Sequence, residues 1–196
     1  FSIDAQPTVS KDGFATVRKL YDARGNLIED AYFDIADQPT LQKNGYSKLV
    51  HVYDDRGNLI DSAVFDVDGQ PVLHRNGYSK LKRKYDARGN TIEQAYFGTD
   101  GEPVLLKEGF SRGTQTFDAR GNLTEVAYFG IDGKPKSLNQ GIAKFTQKHD
   151  DQGNLAEQSY FDVNGLPTQN IDGFSKLTQK YDARGNLIEE AFFDIN

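Results

Sequence analysis

Acidic turns recur through this sequence and are the first residues to consider for chemistry. The motif Asp-x-Asp-Gly occupies residues 66–69, and Asp-x-Asn-Gly occupies residues 162–165. Alternating side-chain oxygens of this kind open calcium-binding loops, which also need a carboxylate near the twelfth position. Gly77 and Gly173 stand at that position in the two copies. The sequence therefore predicts plain turns and no metal site.

The nucleophiles and bases that catalysis needs are not grouped in the sequence. The three histidines, His51, His74 and His149, fall at different positions of a repeating pattern. Cysteine is absent, which excludes disulfides, thiolate zinc sites and cysteine nucleophiles. Serines recur once per repeat, whereas a catalytic triad would appear once in the chain. We therefore expect no enzyme, no catalytic residue and no cofactor.

A repeat of 32 residues positions all of these side chains. Glycine opens successive copies at Gly13, Gly45, Gly77, Gly109, Gly141 and Gly173, and all six prolines share one position of the copies. We expect one array over residues 1–196. Its parts are a tail of a preceding repeat at 1–12, full repeats at 13–44, 45–76, 77–108, 109–140 and 141–172, and a partial repeat at 173–196. Because both ends fall inside a repeat, we expect a fragment of a longer array.

Each repeat is predicted to be a β-hairpin. In the second repeat, turns with Asp first and Gly fourth, at 54–57 and 66–69, bound the segments 45–53 and 59–65. Pro71 has no N–H, so its segment is predicted to be a connector with a short edge strand. The expected fold is all-β, with tandem 32-residue β-hairpin repeats forming a solenoid or a continuous twisted antiparallel sheet. A closed ring of six repeats is the alternative.

The first turn also predicts a strand register. If Asp54 faces Asn58, a polar pair lies on the face that we expect to be buried, and an acid always meets a hydrogen-bond donor there, as Glu93 meets Arg83. Other pairs predicted on this face are Tyr53 with Leu59, Leu49 with Ala63, Ser47 with Phe65, and His51 with Asp61. The acids recur as Glu29, Asp61, Glu93, Glu125, Glu157 and Glu189. We interpret them as a structural ladder; a multivalent binding site is the alternative.

The opposite face is the candidate ligand-binding surface. In this register a basic side chain lies beside an aromatic ring that points outward. Exposed rings repeated along an array can stack on sugars, although rings at strand spacing more often belong to a core. The candidate ligand-facing residues are Tyr32, Tyr96, Tyr128, Tyr160, Lys80, Arg112, Lys144 and Lys176.

Charge and apolar segments restrict the partners. The chain has 23 basic and 29 acidic residues and a net charge of -6, so we expect neither nucleic acid nor an anionic membrane as partner. No apolar segment approaches the length of a membrane-spanning helix, so we expect no membrane insertion. A protein or polysaccharide partner, or self-assembly, is compatible with these features. We favour an extracellular or cell-surface location.

The hexad Tyr-Asp-x-x-Gly-Asn stands at residues 21–26, 53–58, 85–90 and 181–186. It resembles the tyrosine-aspartate repeat of bacterial RHS proteins, in which such repeats form β-hairpin strips that wind into a shell or surface scaffold. Phe117 and His149 replace the tyrosine in the two remaining copies. The resemblance implies a non-enzymatic repeat scaffold or binding module of a bacterial surface or secreted protein.

A second motif is Tyr-Phe-Asp-x-Asn-Gly at residues 160–165, with variants at 96–101 and 128–133. It is similar to the glucan- and choline-binding repeats of bacterial surface proteins, which bind through tryptophan cages. Tryptophan is absent here, so the resemblance implies only a generic aromatic platform for sugars. The alternatives to a scaffold are therefore a carbohydrate- or cell-wall-binding module and a self-assembling filament or shell subunit.

Overall fold

The computed structural model describes residues 7–138 and 141–195. Within these ranges, twelve strands lie in one antiparallel sheet in chain order. They are β1 (Thr16–Tyr21), β2 (Leu27–Phe33), β3 (Lys48–Tyr53), β4 (Leu59–Phe65), β5 (Lys80–Tyr85), β6 (Thr91–Phe97), β7 (Arg112–Phe117), β8 (Leu123–Phe129), β9 (Lys144–His149), β10 (Leu155–Phe161), β11 (Lys176–Tyr181) and β12 (Leu187–Phe193). The predicted all-β sheet of tandem hairpins is confirmed. No helix in the described ranges is long and apolar enough to cross a bilayer.

The chain divides into two compact units. The first runs to Arg83 and includes Tyr96–Val104, and the second consists of Lys84–Ala95 and the chain from Leu105 onward. The division passes through β5 and β6, so it does not follow the boundaries of the predicted repeats. Of those predicted repeats, residues 1–6, 139–140 and 196 lie outside the described residues.

One turn geometry occurs three times in the second repeat. In the first turn, the N–H of Gly57 donates to Asp54 O at 3.0 Å and the N–H of Asp54 donates to Asn58 O at 2.9 Å. The turns at 66–70 and 74–78 make the same two bonds. The fourth residue of all three is a glycine with φ between 78° and 91°, a backbone conformation that glycine adopts without steric cost. The two predicted hairpin turns are confirmed, and the third has the same geometry.

The aspartate that opens the first turn also closes it through its side chain. Asp54 Oδ1 accepts the N–H groups of Arg56 and Asn58 at 2.9 and 2.8 Å, and Asn58 Nδ2 donates to Asp54 Oδ2 at 2.9 Å. These bonds, chiefly that of the Asn58 side chain, hold the pKa of Asp54 below its ordinary value. Tyr53, the first residue of the hexad, donates its hydroxyl to Leu27 O of the preceding repeat at 3.0 Å. The hexad therefore has a structural explanation in turn closure and in contact between repeats.

A β-bulge changes the register of the hairpins. Tyr53 lies opposite Leu59 as predicted, but Val52 lies opposite Asp61, one residue further along β4. The same shift occurs beside the turns of β1–β2, β7–β8, β9–β10 and β11–β12. A one-residue shift turns the second strand so that each of its side chains changes face. The predicted register is therefore wrong beyond the first pair.

The predicted pairs fail accordingly. Leu49 lies opposite Val64 rather than Ala63, and His51 lies opposite Ser62 rather than Asp61. Phe65 lies opposite Lys48, and Ser47 reaches it only through its N–H, which donates to Phe65 O at 2.8 Å. The first strand of the hairpin keeps its predicted face, and the second strand presents the opposite one.

Burial in the sheet is shallow and lies mainly on one face. Val64, Leu81 and Val126 are 4%, 8% and 6% exposed, and Tyr46 is 8% exposed. No large side chain in the described ranges falls below 2% exposure. Each repeat therefore depends on its neighbours for what core it has.

The proline segment returns along its own hairpin. Pro71 forms an isolated antiparallel bridge with Phe65, and the N–H of Val72 donates to Val64 O at 3.2 Å. The same bridge joins Phe33 to Pro39, Phe97 to Pro103, Phe129 to Pro135, and Phe161 to Pro167. The prediction of a connector with a short edge strand agrees with this arrangement.

Candidate functional site

The two faces of the hairpins carry different side chains. We call the face that carries Tyr32 and Val64 in the first compact unit, and Tyr128 and Val126 in the second, the tyrosine face. We call the opposite face the ion face; it carries the acids Glu29, Asp61, Glu93, Glu125 and Glu157 and the basic residues of the following repeat that pair with them. Adjacent residues of a strand alternate between faces, so the register decides which candidate residues meet.

Aromatic rings form a continuous series on the tyrosine face of the first compact unit. The distances between successive ring centroids are 4.8 Å for Phe14–Tyr32, 5.9 Å for Tyr32–Tyr46, 5.7 Å for Tyr46–His74, 5.3 Å for His74–Tyr78 and 5.2 Å for Tyr78–Tyr96. These separations are those of attractive aromatic pairs. The series crosses repeat boundaries, so it joins neighbouring hairpins as well as the strands within each.

The second compact unit contains rings at the same positions, except for Phe145, whose position is Leu49 and Leu81 in the first unit. The centroid distances are 5.1 Å for Phe110–Tyr128, 6.4 Å for Phe145–Tyr160, 6.0 Å for Tyr160–Phe174 and 4.9 Å for Phe174–Phe192. Burial raises the pKa of Tyr128, and burial is also the main cause of the raised pKa of Tyr32. The hydroxyls of Tyr32 and Tyr128 therefore stay protonated and act as neutral hydrogen-bonding groups.

The predicted outward column of tyrosines is placed differently. Tyr32, Tyr96, Tyr128 and Tyr160 are half-buried members of the ring series. Arg112 lies opposite Phe129, and Gly113 lies opposite Tyr128. The tyrosine and the basic residue of one repeat therefore lie on opposite faces, and the predicted contact between them is wrong. The cause is the bulge, because it moves the second strand by one residue.

On the ion face, each acid meets a basic residue of the following repeat. The separations are 3.9 Å for Glu29–Lys48, 2.9 Å for Asp61–Lys80, 3.1 Å for Glu93–Arg112, 3.1 Å for Glu125–Lys144 and 2.7 Å for Glu157–Lys176. Four of these bases are the candidate ligand-facing residues Lys80, Arg112, Lys144 and Lys176. Their charges are thus matched by carboxylates of the neighbouring hairpin. The predicted pairing of Glu93 with Arg83 of its own repeat is wrong, because the bulge shifts the second strand by one residue.

Three of the four candidate basic residues, Arg112, Lys144 and Lys176, also lie over phenylalanine rings. The Arg112 guanidinium carbon is 4.0 Å from the Phe129 ring centroid, and Lys144 Nζ is 5.1 Å from that of Phe161. Cation–π attraction of this kind adds to the ion pairs. The rings under the bases are phenylalanines of the ion face, whereas the sequence pattern predicted the tyrosines.

A second lysine completes some of these ion pairs from within the hairpin. Glu157 binds Lys148 at 2.8 Å and Lys176 at 2.7 Å, and its side chain is only 22% exposed. Hydrogen bonds from Lys148 and then Lys176 lower the pKa of Glu157. For Glu93, burial raises the pKa, but hydrogen bonds from Lys84 and Arg112 outweigh it and the pKa is lowered. Both groups are held ionised between two hairpins.

Replacing Glu157 with glutamine is expected to weaken the array in a pH-dependent way. A carboxylate whose pKa is lowered on folding stabilises the folded state above the unfolded pKa, and the contribution is lost as pH falls through the folded pKa. We expect the variant to lose about 1 kcal/mol of unfolding free energy at pH 7. Its unfolding curve in urea should approach that of the wild type below about pH 4.

Glu189 provides the matched control for this substitution. Its side chain is 54% exposed and binds Lys180 at 2.8 Å. Glu189→Gln should therefore cost less than Glu157→Gln, because an exposed pair is screened by solvent. Equal losses in the two variants would contradict the interpretation of Glu157 as a bridge between repeats.

The sequence features that could hold a metal remain separate in space. In the described ranges, no three acidic or histidine side chains are grouped so that they could hold a metal ion. Asp66 uses its Oδ1 to accept the N–H groups of Asp68 and Gln70 at 3.0 and 2.8 Å. The Asp-x-Asp-Gly motif is thus engaged in closing its turn, in the way that turn chemistry predicts.

A shallow cleft in the second compact unit places the candidate residue Lys176 beside aromatic rings of the ion face. It is lined by Ser159, Tyr160, Phe161, Ser175, Lys176 and Phe193. Aromatic rings beside hydroxyl and ammonium groups are chemically suited to a sugar. Sequence reasoning did not assign Ser159 or Ser175 to a site, because Ser159 occupies an ordinary position of β10 and Ser175 directly precedes β11.

Comparisons with known proteins give the following results. No protein family matches the sequence, and no curated protein matches it. A crystal structure of TcdB2-TccC3-TEV is similar, with a TM-score of 0.39, 15% identity and coverage of 93% of this chain and 10% of that chain. A structure of the Photorhabdus luminescens Tc holotoxin pore has a TM-score of 0.38 and 14% identity, with coverage of 92% of this chain and 11% of that chain. The chain spans about a tenth of the length of these solved chains. At these TM-scores the likeness assigns no function.

Proposed function

We propose that the chain is a non-enzymatic repeat scaffold of a bacterial surface or secreted protein. The observation that supports this most directly is the pairing of basic residues with acids of the neighbouring repeat. Lys80 and Arg112 each contact an acid of the preceding repeat. Side chains whose charges are matched by acids of the neighbouring hairpin hold the repeats in register. The tyrosine-aspartate hexad contributes turn closure to the same arrangement.

A carbohydrate-binding module is the second candidate. The cleft with Phe161 and Lys176 favours it, because it combines rings with hydrogen-bonding groups. Lys176 is only in part available to a ligand, since its ammonium group also binds Glu157 at 2.7 Å. The scaffold is the better supported proposal, because its contacts recur along the array.

The two functions differ in retention on insoluble cell wall and on a panel of polysaccharides. As a scaffold, the purified chain is expected to pass through these matrices without retention. The comparison uses the wild type, Phe161→Ala and the matched control Phe33→Ala, which removes a ring at the same repeat position but outside the cleft. Retention that is lost in Phe161→Ala and kept in Phe33→Ala would replace the scaffold with the carbohydrate module.

A further inference from the structure

The second repeat carries two histidines at positions that other repeats fill with side chains that keep one charge state near neutral pH. At the position of His74 stand Ser10, Gln42, Leu106, Leu138 and Asn170. At the position of His51 stand Lys19, Arg83, Gln115, Gln147 and Gln179. Histidine is the side chain whose ordinary charge change falls between about pH 5 and 8. Acid therefore acts on these two positions of the second repeat differently from the same positions of the other repeats.

His74 closes the third turn with an unprotonated nitrogen. Its Nδ1 accepts the N–H of Asn76 at 3.1 Å. Gln42 makes the same closure in the preceding repeat, where its Oε1 accepts the N–H of Asn44 at 2.8 Å. An imidazole nitrogen accepts a hydrogen bond only while it carries no proton. Protonation of Nδ1 removes this closure, whereas an amide oxygen keeps it at any pH.

The imidazole of His74 also lies within the aromatic series. Its ring centroid is 5.7 Å from that of Tyr46 and 5.3 Å from that of Tyr78. Tyr46 is only 8% exposed. A change in the charge of His74 therefore alters the ring contacts between the second and third repeats, inside the first compact unit.

His51 is a second half-buried imidazole of the same repeat. Its Nδ1 is buried and has no hydrogen-bond partner in the described part of the chain. Its ring centroid lies 6.2 Å from that of Tyr53. A proton placed on this nitrogen would lack an acceptor, which makes the charged form costly there.

The charged groups around the two histidines act mainly against protonation. Burial lowers the pKa of His51; Asp30 opposes this, and Arg83 adds to it. Asp30 is itself paired with Lys19 at 2.6 Å, which reduces its effect on His51. Burial and then Arg75 lower the pKa of His74. A base whose pKa is lowered on folding loses folded-state stability as pH falls from the unfolded pKa through the folded one.

We propose that the second repeat is an acid-sensitive latch, in which protonation of His74 and His51 opens the turn at 74–78 and the adjoining ring contacts of the first compact unit. The opening is local, because the equivalent turns at 42–46 and 170–174 are closed by amide oxygens of Gln42 and Asn170. This property is independent of whether the array serves as a scaffold or binds a ligand.

Hydrogen exchange measured by mass spectrometry at pH 7.5 and pH 5.5, corrected for intrinsic exchange rates, tests the latch. We expect peptides covering 74–78 and β3 to lose about threefold or more of their protection at pH 5.5. Peptides covering 170–174 should keep theirs. In His74→Gln, which installs the amide of the preceding repeat, the loss at 74–78 should disappear, and His51→Gln should reduce the loss in β3.

Three outcomes would overturn the proposal. Protection that falls equally in peptides 74–78 and 170–174 would show a general effect of acid. A pH-dependent loss that persists in the His74→Gln, His51→Gln double variant would exclude these side chains as its cause. Greater protection of 74–78 at pH 5.5 would mean that attraction between an imidazolium and the Tyr46 and Tyr78 rings exceeds the lost closure.

Discussion

Replacing Tyr46 with alanine is expected to lower the free energy of unfolding by about 3–5 kcal/mol, the usual range for removing a buried aromatic ring. Tyr46 is 8% exposed and links the first and second repeats through Tyr32 at 5.9 Å. It also contacts His74 at 5.7 Å. Because the sheet has few deeply buried side chains, little else compensates for this loss. Urea unfolding followed by tyrosine fluorescence and circular dichroism measures the change.

Tyr46→Phe is the control for this prediction. Phenylalanine stands at the same position in three other repeats, as Phe14, Phe110 and Phe174. The ring contacts should therefore survive, and the variant should lose about 1 kcal/mol or less, the value of one hydroxyl hydrogen bond. If phenylalanine were as costly as alanine, the hydroxyl rather than the ring series would stabilise this boundary.

Replacing Gly89 with valine has the second largest expected effect. Gly89 has φ of 88° and closes its turn by donating its N–H to Asp86 O at 3.2 Å. A β-branched side chain in this left-handed conformation is strained, and we expect a loss of about 1–3 kcal/mol. The cost comes from the backbone, because the positive φ of Gly89 is a conformation that side chains with a Cβ rarely adopt. Thermal unfolding monitored by circular dichroism measures it.

Gly98→Asp is the matched substitution at a glycine without positive φ. Other repeats carry Asp34, Asp66 and Asp162 there, and the Oδ1 of Asp66 closes the turn. The new Cβ would meet Asp100 Oδ1 at 3.0 Å, which requires that flexible side chain to move. Asp100 now accepts the N–H of Glu102, a role that the new aspartate can take over. We expect a change within about 1 kcal/mol of zero, and a cost equal to that of Gly89→Val would refute the turn assignment.

The turns and hairpins could be read from the sequence because their chemistry is local. Asp at the first position and Gly at the fourth specify a backbone conformation over four residues, as at Asp54 and Gly57. Pro71 marks the connector for an equally local reason, its missing N–H. No knowledge of neighbouring repeats is needed for either inference.

The register could not be read in the same way. A bulge adds one residue to β4 beside the turn, and this changes the face of Ala63 and Val64. Apolar side chains occur at both odd and even positions of that strand, and so on both of its faces. The pattern of hydrophobicity therefore does not reveal the shift. The register shift also changes the candidate site, because it places Tyr128 on the opposite face from Arg112.

The contacts of the candidate site depend on a second register, between hairpins. The pairing of β6 with β7 places Glu93 opposite Thr114 and beside Arg112 of the next repeat. Sequence alone gives the two columns but not their relative offset. The role of His74 in closing a turn could have been found, since it stands three residues before Gly77 in the place that Gln42 holds before Gly45.

The contacts between repeats have a consequence for how the chain acquires its structure. Arg24 Nη1 donates to Asp55 O at 2.7 Å, and the N–H of Lys43 donates to Asp12 O at 2.8 Å, so these contacts join residues 31 apart. The ion pairs between hairpins join residues 19 apart, as Glu93 does with Arg112. Low contact order favours rapid folding, because only short loops must close. Each hairpin can therefore dock as soon as its successor leaves the ribosome, and folding proceeds from the amino terminus at the pace of translation.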